Sequence, residues 1–122
     1  MYFHKKEFRK VLKYVNKVEF IDIQDKFFVR TLTARSYYEL NEMESLMHYI
    51  DASRHFLVSN PSVSEMNRIY IQNFFNYLKK IIYIKENKSP DAIFKLKKEI
   101  EKNNDVWYKS WLIKKLTELE SK

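Results

Sequence analysis

Three histidines are the residues best suited to metal binding or proton transfer: His4, His48 and His55. His48 and His55 are seven residues apart, which places them two turns apart along one helix face. At that separation they cannot bind one metal ion without a third ligand; Asp51 lies at helical spacing, four residues before His55, which gives a weak pair. We therefore predict no metal site and no cofactor, with His48 and His55 partly exposed on a helix and the His4 ring packed down near the terminus.

The carboxylates and hydroxyls of the chain do not indicate a catalytic site either. Acidic residues gather near one predicted turn and in one smaller patch: Glu39, Glu42, Glu44 and Asp51, then Glu99 with Glu101. Neighbouring carboxylates on a helix point in different directions, so they do not form the facing pair that general acid–base catalysis needs. Ser36 and Ser53 have no histidine at a spacing that would activate them. We predict that the protein is not an enzyme.

The composition supports that prediction. The 122 residues include no Gly and no Cys. Phosphate-cradling loops and nucleophile elbows need glycine, because their backbone takes positive φ or approaches a ligand closely. Thiolate metal sites and disulfides need cysteine. A chain of this length holds one domain with one core.

Aromatic side chains are the remaining chemical signal, with nine Tyr, nine Phe and two Trp. They supply rigid contact area at low entropic cost, and in stacked helical hairpins the inner helices line a concave surface. Core packing is the competing explanation for each of them. The predicted partner-binding residues are four tyrosines and two arginine anchors: Tyr37, Tyr49, Tyr70, Tyr83, Arg30 and Arg35.

The net charge of +7 is concentrated at the two ends of the chain. Residues 1–20 carry six Lys or Arg and two acids, residues 21–78 carry five and seven, and residues 79–122 carry twelve and seven. Basic ends indicate an acidic partner such as nucleic acid. Lys outnumbers Arg eighteen to five, however, whereas nucleic-acid readout favours Arg, and A/T-rich codons also produce lysine. Nucleic-acid binding is therefore the alternative function.

No segment resembles a membrane span or a targeting signal. The most apolar stretch, residues 69–84, has eleven apolar residues of sixteen and includes Lys79 and Lys80. A span needs about 20 apolar residues. The basic first ten residues are not followed by an apolar signal core. We expect a cytoplasmic protein with no membrane contact.

Apolar residues recur at helical spacing along the whole chain and predict six helices. The predicted ranges are 2–18, 22–40, 42–59, 62–86, 89–103 and 104 to the C-terminus, with caps at Asp22, Ser62, Ser89 and either Asn104 or Asp105. Asn41 takes the left-handed position after the second helix. Joins of about two to five residues make successive helices antiparallel neighbours. The expected fold is all-α, built of stacked antiparallel helical hairpins.

Residues 33–60 resemble a tetratricopeptide repeat. The small Ala34, the aromatic Tyr37, the helix end from Tyr38 to Asn41 and the apolar Met43 follow one another in the order of that repeat. Three departures are present, namely Asn41 for the turn glycine, Leu46 where Ala is usual, and Pro61 about one turn late. The resemblance implies a short TPR-like solenoid. The basic and Asn residues with which some such domains grip a terminal carboxylate are absent, so that activity is not carried over.

Residues 60–78 and 96–119 are similar to the ends of large uncharacterised bacterial helical-repeat proteins. This resemblance implies that residues 1–122, one helical-repeat domain, form the C-terminal part of a longer solenoid. The expected function is a non-enzymatic helical scaffold that binds a protein, a peptide or the remainder of its own chain.

Overall fold

A computed structural model describes residues 5–15, 23–61 and 63–120, which form six α-helices and no strand. The helices are α1 (Lys5–Val15), α2 (Ile23–Glu39), α3 (Met43–Val58), α4 (Glu65–Asn87), α5 (Pro90–Lys102) and α6 (Lys109–Glu120). The predicted all-α fold with six helices is confirmed. None of the helices in these ranges is long and apolar enough to cross a membrane. The cytoplasmic location stays a prediction, and the predictions for His4, Asp22 and Ser62 concern residues outside the described ranges.

The chain divides into two compact units, Met1–Val63 and Ser64–Lys122. In the first unit α2 packs against both α1 and α3. In the second unit α4, α5 and α6 all pack against one another. Each unit is therefore built from helices that follow one another in the sequence, as the short joins predict.

The first unit has a core that combines large apolar side chains with small polar ones. Fully or almost fully buried apolar residues are Phe27, Ala34, Leu46, Ile50 and Leu57. On α2 the hydroxyls of Thr31, Thr33 and Ser36 are also buried, and each donates to a carbonyl three or four residues earlier in its own helix, at 2.8, 2.8 and 2.9 Å. Because these hydroxyls are hydrogen-bonded within α2, the helix buries them without leaving a polar group unsatisfied.

The second unit has an apolar core centred on α4. The buried residues of α4 are Ile71, Phe74, Phe75, Tyr77, Leu78, Ile81 and Ile82. This wide apolar surface faces both α5 and α6. Met66 and Ile69 are exposed. They lie in the first turns of α4, before the buried stretch begins at Ile71.

The turn between α2 and α3 confirms the role predicted for Asn41. Asn41 has φ of 60°. Its N–H donates to the Tyr38 carbonyl and the Glu42 N–H donates to the Tyr37 carbonyl, both at 3.0 Å. This pair of bonds is the Schellman motif, which needs one left-handed residue and takes Asn when Gly is absent.

Serine caps begin α4 and α5. Ser89 accepts a hydrogen bond from the Ala92 N–H at 3.3 Å, with Pro90 as the first helical residue, so this predicted cap is confirmed. The N-cap of α4 is Ser64, which accepts from the Asn67 N–H at 3.2 Å. The predicted cap Ser62 lies outside the described residues, and Glu65 is the first residue of α4.

The connection between α5 and α6 differs most from the prediction. Neither Asn104 nor Asp105 caps α6, which begins at Lys109. Trp107 and Tyr108, predicted to be helical, lie before it, and Tyr108 has φ of 57°. Within this segment the Asn103 side chain accepts from the Asp105 N–H at 2.8 Å, a local bond that competes with a helical start.

Hydrogen bonds with α4 hold the connection between α5 and α6 in place. The Asn73 amide donates to the Asp105 carbonyl at 2.9 Å, and the Asn103 amide donates to the Tyr77 hydroxyl at 2.9 Å. The Trp107 N–H donates to the Tyr70 carbonyl at 3.4 Å. These partners are 26 to 37 residues away in sequence. Capping patterns depend on residues close in sequence, so they do not reveal contacts at such separation. The start predicted for α6 was wrong for this reason.

Lys88 is the left-handed residue that ends α4, a position usually taken by glycine. It has φ of 48°, and its N–H donates to the Ile84 carbonyl at 2.6 Å. A left-handed residue with a Cβ costs about 1 kcal/mol. We expect Lys88→Gly to raise the free energy of unfolding of the second unit by about 1 kcal/mol, measured by urea denaturation and tryptophan fluorescence. Gln72→Gly, at an exposed helical site, should lower it by about the same amount, and a decrease with Lys88→Gly would contradict this explanation.

Candidate functional site

An open groove of about 400 Å³ runs between α4 and α5 in the second unit. Its lining is mostly apolar, with charged side chains among the apolar ones. The lining residues are Lys80, Tyr83 and Ile84 from α4, and Ala92, Lys95, Leu96 and Glu99 from α5. A concave, mostly apolar site with a few polar groups is typical of ligand and peptide binding.

Helical spacing places the lining residues on one face of each helix. On α4, Tyr83 and Ile84 follow Lys80 by three and four residues. On α5 the lining positions 92, 95, 96 and 99 repeat the same spacing over two turns. Leu96 also belongs to the buried core, and Ala92 is the smallest side chain in the lining. The space is therefore bounded by ordered helices and not by loops.

Ion pairs in and beside the groove are weak. Lys80 Nζ lies 3.9 Å from Glu99 Oε2, and Lys95 Nζ lies 3.6 Å from Asp91 Oδ2. All four side chains are more than half exposed. Exposed pairs of this kind contribute about 0–1 kcal/mol each, because water screens them. Both lysines can therefore exchange these partners for a carboxylate of another molecule at little cost.

Tyr83 is the aromatic residue that the groove presents to solvent. Its side chain is 53% exposed, although the ring lines an apolar surface. Tyrosine of this kind gains contact area on binding and loses little conformational freedom, which is why it is enriched at binding hot spots. Phe94, on α5, is also exposed, at 58%, but it does not line the groove.

A second cluster joins α2 and α3 in the first unit. The Arg30 guanidinium lies 4.1 Å from the ring centroid of Phe56 and 5.5 Å from that of Tyr49. Its Nη1 donates to the Ser53 hydroxyl at 3.1 Å. Tyr49 in turn makes an edge contact with Tyr37, with ring centroids 5.8 Å apart. These cation–π, hydrogen-bond and ring contacts hold the two helices of the hairpin together.

Burial raises the pKa of the Tyr49 phenol above its ordinary value. The Arg30 charge and a hydrogen bond with the Thr33 side chain act in the opposite direction and do not cancel the effect of burial. The Tyr49 phenol ionises at a lower pH in the unfolded chain than in the folded protein. The contribution of Tyr49 to stability is therefore complete below about pH 10 and is lost as the pH rises through the pKa of the folded state.

Between about pH 9 and pH 11, we expect the free energy of unfolding to decrease more for the unsubstituted protein than for the Tyr49→Phe variant. Urea denaturation followed by circular dichroism at the two pH values measures the difference. Tyr83→Phe is the matched control, because its hydroxyl is on an exposed side chain, and it should behave as the unsubstituted protein does. An equal fall with and without the Tyr49 hydroxyl would contradict the assignment.

The six predicted partner-binding residues occupy different places. Arg30, Tyr37 and Tyr49 come together in the cluster of the first unit. Arg35 lies on α2, where its Nε donates to the Thr31 carbonyl at 3.4 Å. Tyr70 is half-buried on α4 and Tyr83 lines the groove.

Sequence reasoning missed most of the groove and part of the cluster. The residues it did not propose as binding residues are Phe56 and Ser53 in the cluster, and Lys80, Ile84, Ala92, Lys95, Leu96 and Glu99 in the groove. The available signal was the matching three- and four-residue spacing on the two helices that flank Ser89 and Pro90.

The histidines and acidic residues that the structure describes form no comparable site. His48 and His55 are exposed on α3. Glu42 forms an ion pair with Arg9. Within the described ranges, no group of three or more His, Asp or Glu side chains lies close enough together to hold a metal ion.

Comparison with known proteins adds no relative. No family model, no curated protein and no solved structure matches the chain.

Proposed function

We propose that the protein is a non-enzymatic helical scaffold and that it binds a protein or peptide, or the remainder of a longer chain of its own, through the α4–α5 groove. The observation that carries the proposal is the half-exposed Tyr83 on an open, mostly apolar groove. An apolar centre beside charged, solvent-accessible side chains matches the usual anatomy of a protein interface. Covering Tyr83, Ile84 and Leu96 with apolar side chains of a partner would remove this surface from water.

The charged groups of the groove favour binding over catalysis. Lys80 and Glu99 pair with each other at 3.9 Å and both are more than half exposed. Catalytic acids and bases are instead held in desolvated settings that tune their ionisation. The groove therefore offers a contact surface without an acid–base pair suited to proton transfer.

The TPR-like character of the first unit is part of the same proposal. Ala34 is fully buried in a helix that contacts two neighbours, and Asn41 ends that helix in a Schellman turn. A small residue permits close helix approach, and the turn starts the return helix. These features support a helical-hairpin repeat, a class of structure that acts by presenting surfaces to partners.

Nucleic-acid binding is the second candidate, favoured by the lysines of α4 and α5. Residues 79–102 contain eight Lys and four acids. Binding through phosphates would weaken steeply as salt rises. A titration of the protein into single- and double-stranded oligonucleotides at low and moderate salt tests this candidate, and absent or salt-insensitive binding would eliminate it.

Affinity capture from an extract of the source cells tests the leading proposal. The immobilised chain should retain one or more proteins, and Tyr83→Glu should lose them because it places a charge on the apolar surface. Gln72→Glu is the matched control, since Gln72 is also exposed on α4 but does not line the groove. Retention that is unaffected by Tyr83→Glu, or no retained protein, would count against the proposal.

A further inference from the structure

We infer that the occupant of the α4–α5 groove is an acidic amphipathic helix of the partner protein. This inference rests on the proposed function and adds the chemistry of the partner. Three features of the groove carry it: the positions of its lysines, the nature of its walls and the composition of its apolar lining.

The lysines give the groove positive charge on both sides. Lys80 stands on α4 and Lys95 on α5, and their carboxylate neighbours Glu99 and Asp91 are held only by exposed pairs at 3.9 and 3.6 Å. The surrounding residues 79–102 carry twice as many lysines as acids. A partner with carboxylates along both edges of its contact face would be attracted during encounter and would pair with both lysines.

The walls favour a helix over an extended peptide. Both sides of the groove are α-helices, whose backbone N–H and C=O groups are bonded within the helix. A peptide that binds as an added strand needs a free sheet edge, and the helices α4 and α5 offer none along the groove. A helix satisfies its own backbone and can lay side chains between those of α4 and α5.

The apolar lining also favours a helix over nucleic acid. Tyr83, Ile84, Ala92 and Leu96 are the apolar residues of the lining, and apolar residues spaced three and four apart on a partner helix suit such a surface. Single-stranded nucleic acid binds to a series of stacking aromatics, whereas Tyr83 is the one aromatic in the lining. No Arg lines the groove to bind phosphate in a bidentate manner.

Fluorescence anisotropy with labelled synthetic probes tests the inference on the full chain. The first probe is a peptide of about 18 residues, or five helical turns, with Leu at one helical face and Glu elsewhere. The second replaces every Glu by Lys, the third scrambles the first so that no apolar face remains, and the fourth is a single-stranded oligonucleotide. We expect only the first to bind at physiological salt.

Charge reversal in the groove supplies the matched variants. We expect Lys80→Glu with Lys95→Glu to weaken binding of the acidic peptide by about tenfold or more. Lys102→Glu with Lys114→Glu makes the same change in net charge at exposed residues that do not line the groove, and it should have a much smaller effect. Unchanged tryptophan fluorescence will show that each variant keeps the folded second unit.

Each alternative outcome overturns the inference. Equal binding of the Lys peptide would leave the proposed function in place but reject an acidic partner. Equal binding of the scrambled peptide would reject an amphipathic helix, and tighter binding of the oligonucleotide would favour the second candidate function. If no probe binds, the inference fails, while loss of captured protein with Tyr83→Glu would still support the proposed function.

Discussion

Replacing Phe74 by Ala is expected to lower the free energy of unfolding of the second unit by about 3–5 kcal/mol. Phe74 is fully buried on α4. Its ring contacts those of Phe75, Tyr108 and Trp111, with centroids 5.3, 5.5 and 6.3 Å apart. The substitution removes the ring from these contacts and leaves a cavity that a close-packed core closes only in part.

Both tryptophans of the chain, Trp107 and Trp111, lie in the second unit, so their fluorescence reports on its unfolding. Urea denaturation with this signal measures the effect. Phe94→Ala is the matched control, because Phe94 is 58% exposed on α5, and it should change stability by no more than about 0.5 kcal/mol. Equal losses for the two variants would mean that Phe74 is not at the centre of the core.

Ala34→Leu is the second substitution with a large expected effect. Ala34 is fully buried on α2, which packs against both α1 and α3. Added methylene groups at such a site force side chains from their preferred rotamers or move the helices apart, at a cost of about 1–3 kcal/mol. The TPR-like interpretation makes the same prediction, since it assigns the small residue to close helix packing.

Hydrogen–deuterium exchange followed by mass spectrometry localises this effect to the first unit. We expect faster exchange in α2 and α3 for Ala34→Leu than for the unsubstituted chain. Ala52→Leu makes the same change at an exposed site on α3 and should leave exchange nearly unchanged. Exchange that is unaffected by Ala34→Leu would contradict close packing at this residue.

Local sequence signals predicted the helices and several of their ends. Asn41 and Ser89 act through neighbours within four residues, so their positions reveal the Schellman turn and the N-cap. These features depend on the chemistry of a short segment, which the sequence displays directly.

Features that depend on distant residues were not predictable in this way. Asn103, Asp105 and Trp107 are hydrogen-bonded to α4 or its side chains, and these bonds displace the start of α6 to Lys109. At the start of α4, Ser64 provides the cap, two residues after the predicted cap Ser62.

The candidate site was predictable only in part. Its aromatic residue, Tyr83, was proposed from the sequence as a contact residue. Periodicity shows which residues share a face of α4 or of α5, but it does not show the space that remains between two packed helices. The roles of Ala92 and Leu96 in the groove therefore became visible only in the structure.

Site-specific photo-crosslinking in the source cells tests the central claim most directly, namely that the α4–α5 groove is a protein-binding surface. The photoreactive amino acid p-benzoylphenylalanine would replace Tyr83 in one variant and Gln72 in the other. Both residues are exposed on α4, and only Tyr83 lines the groove. We predict a discrete protein adduct from position 83 that is absent from position 72; no adduct at position 83, or the same adducts at both positions, would contradict the claim.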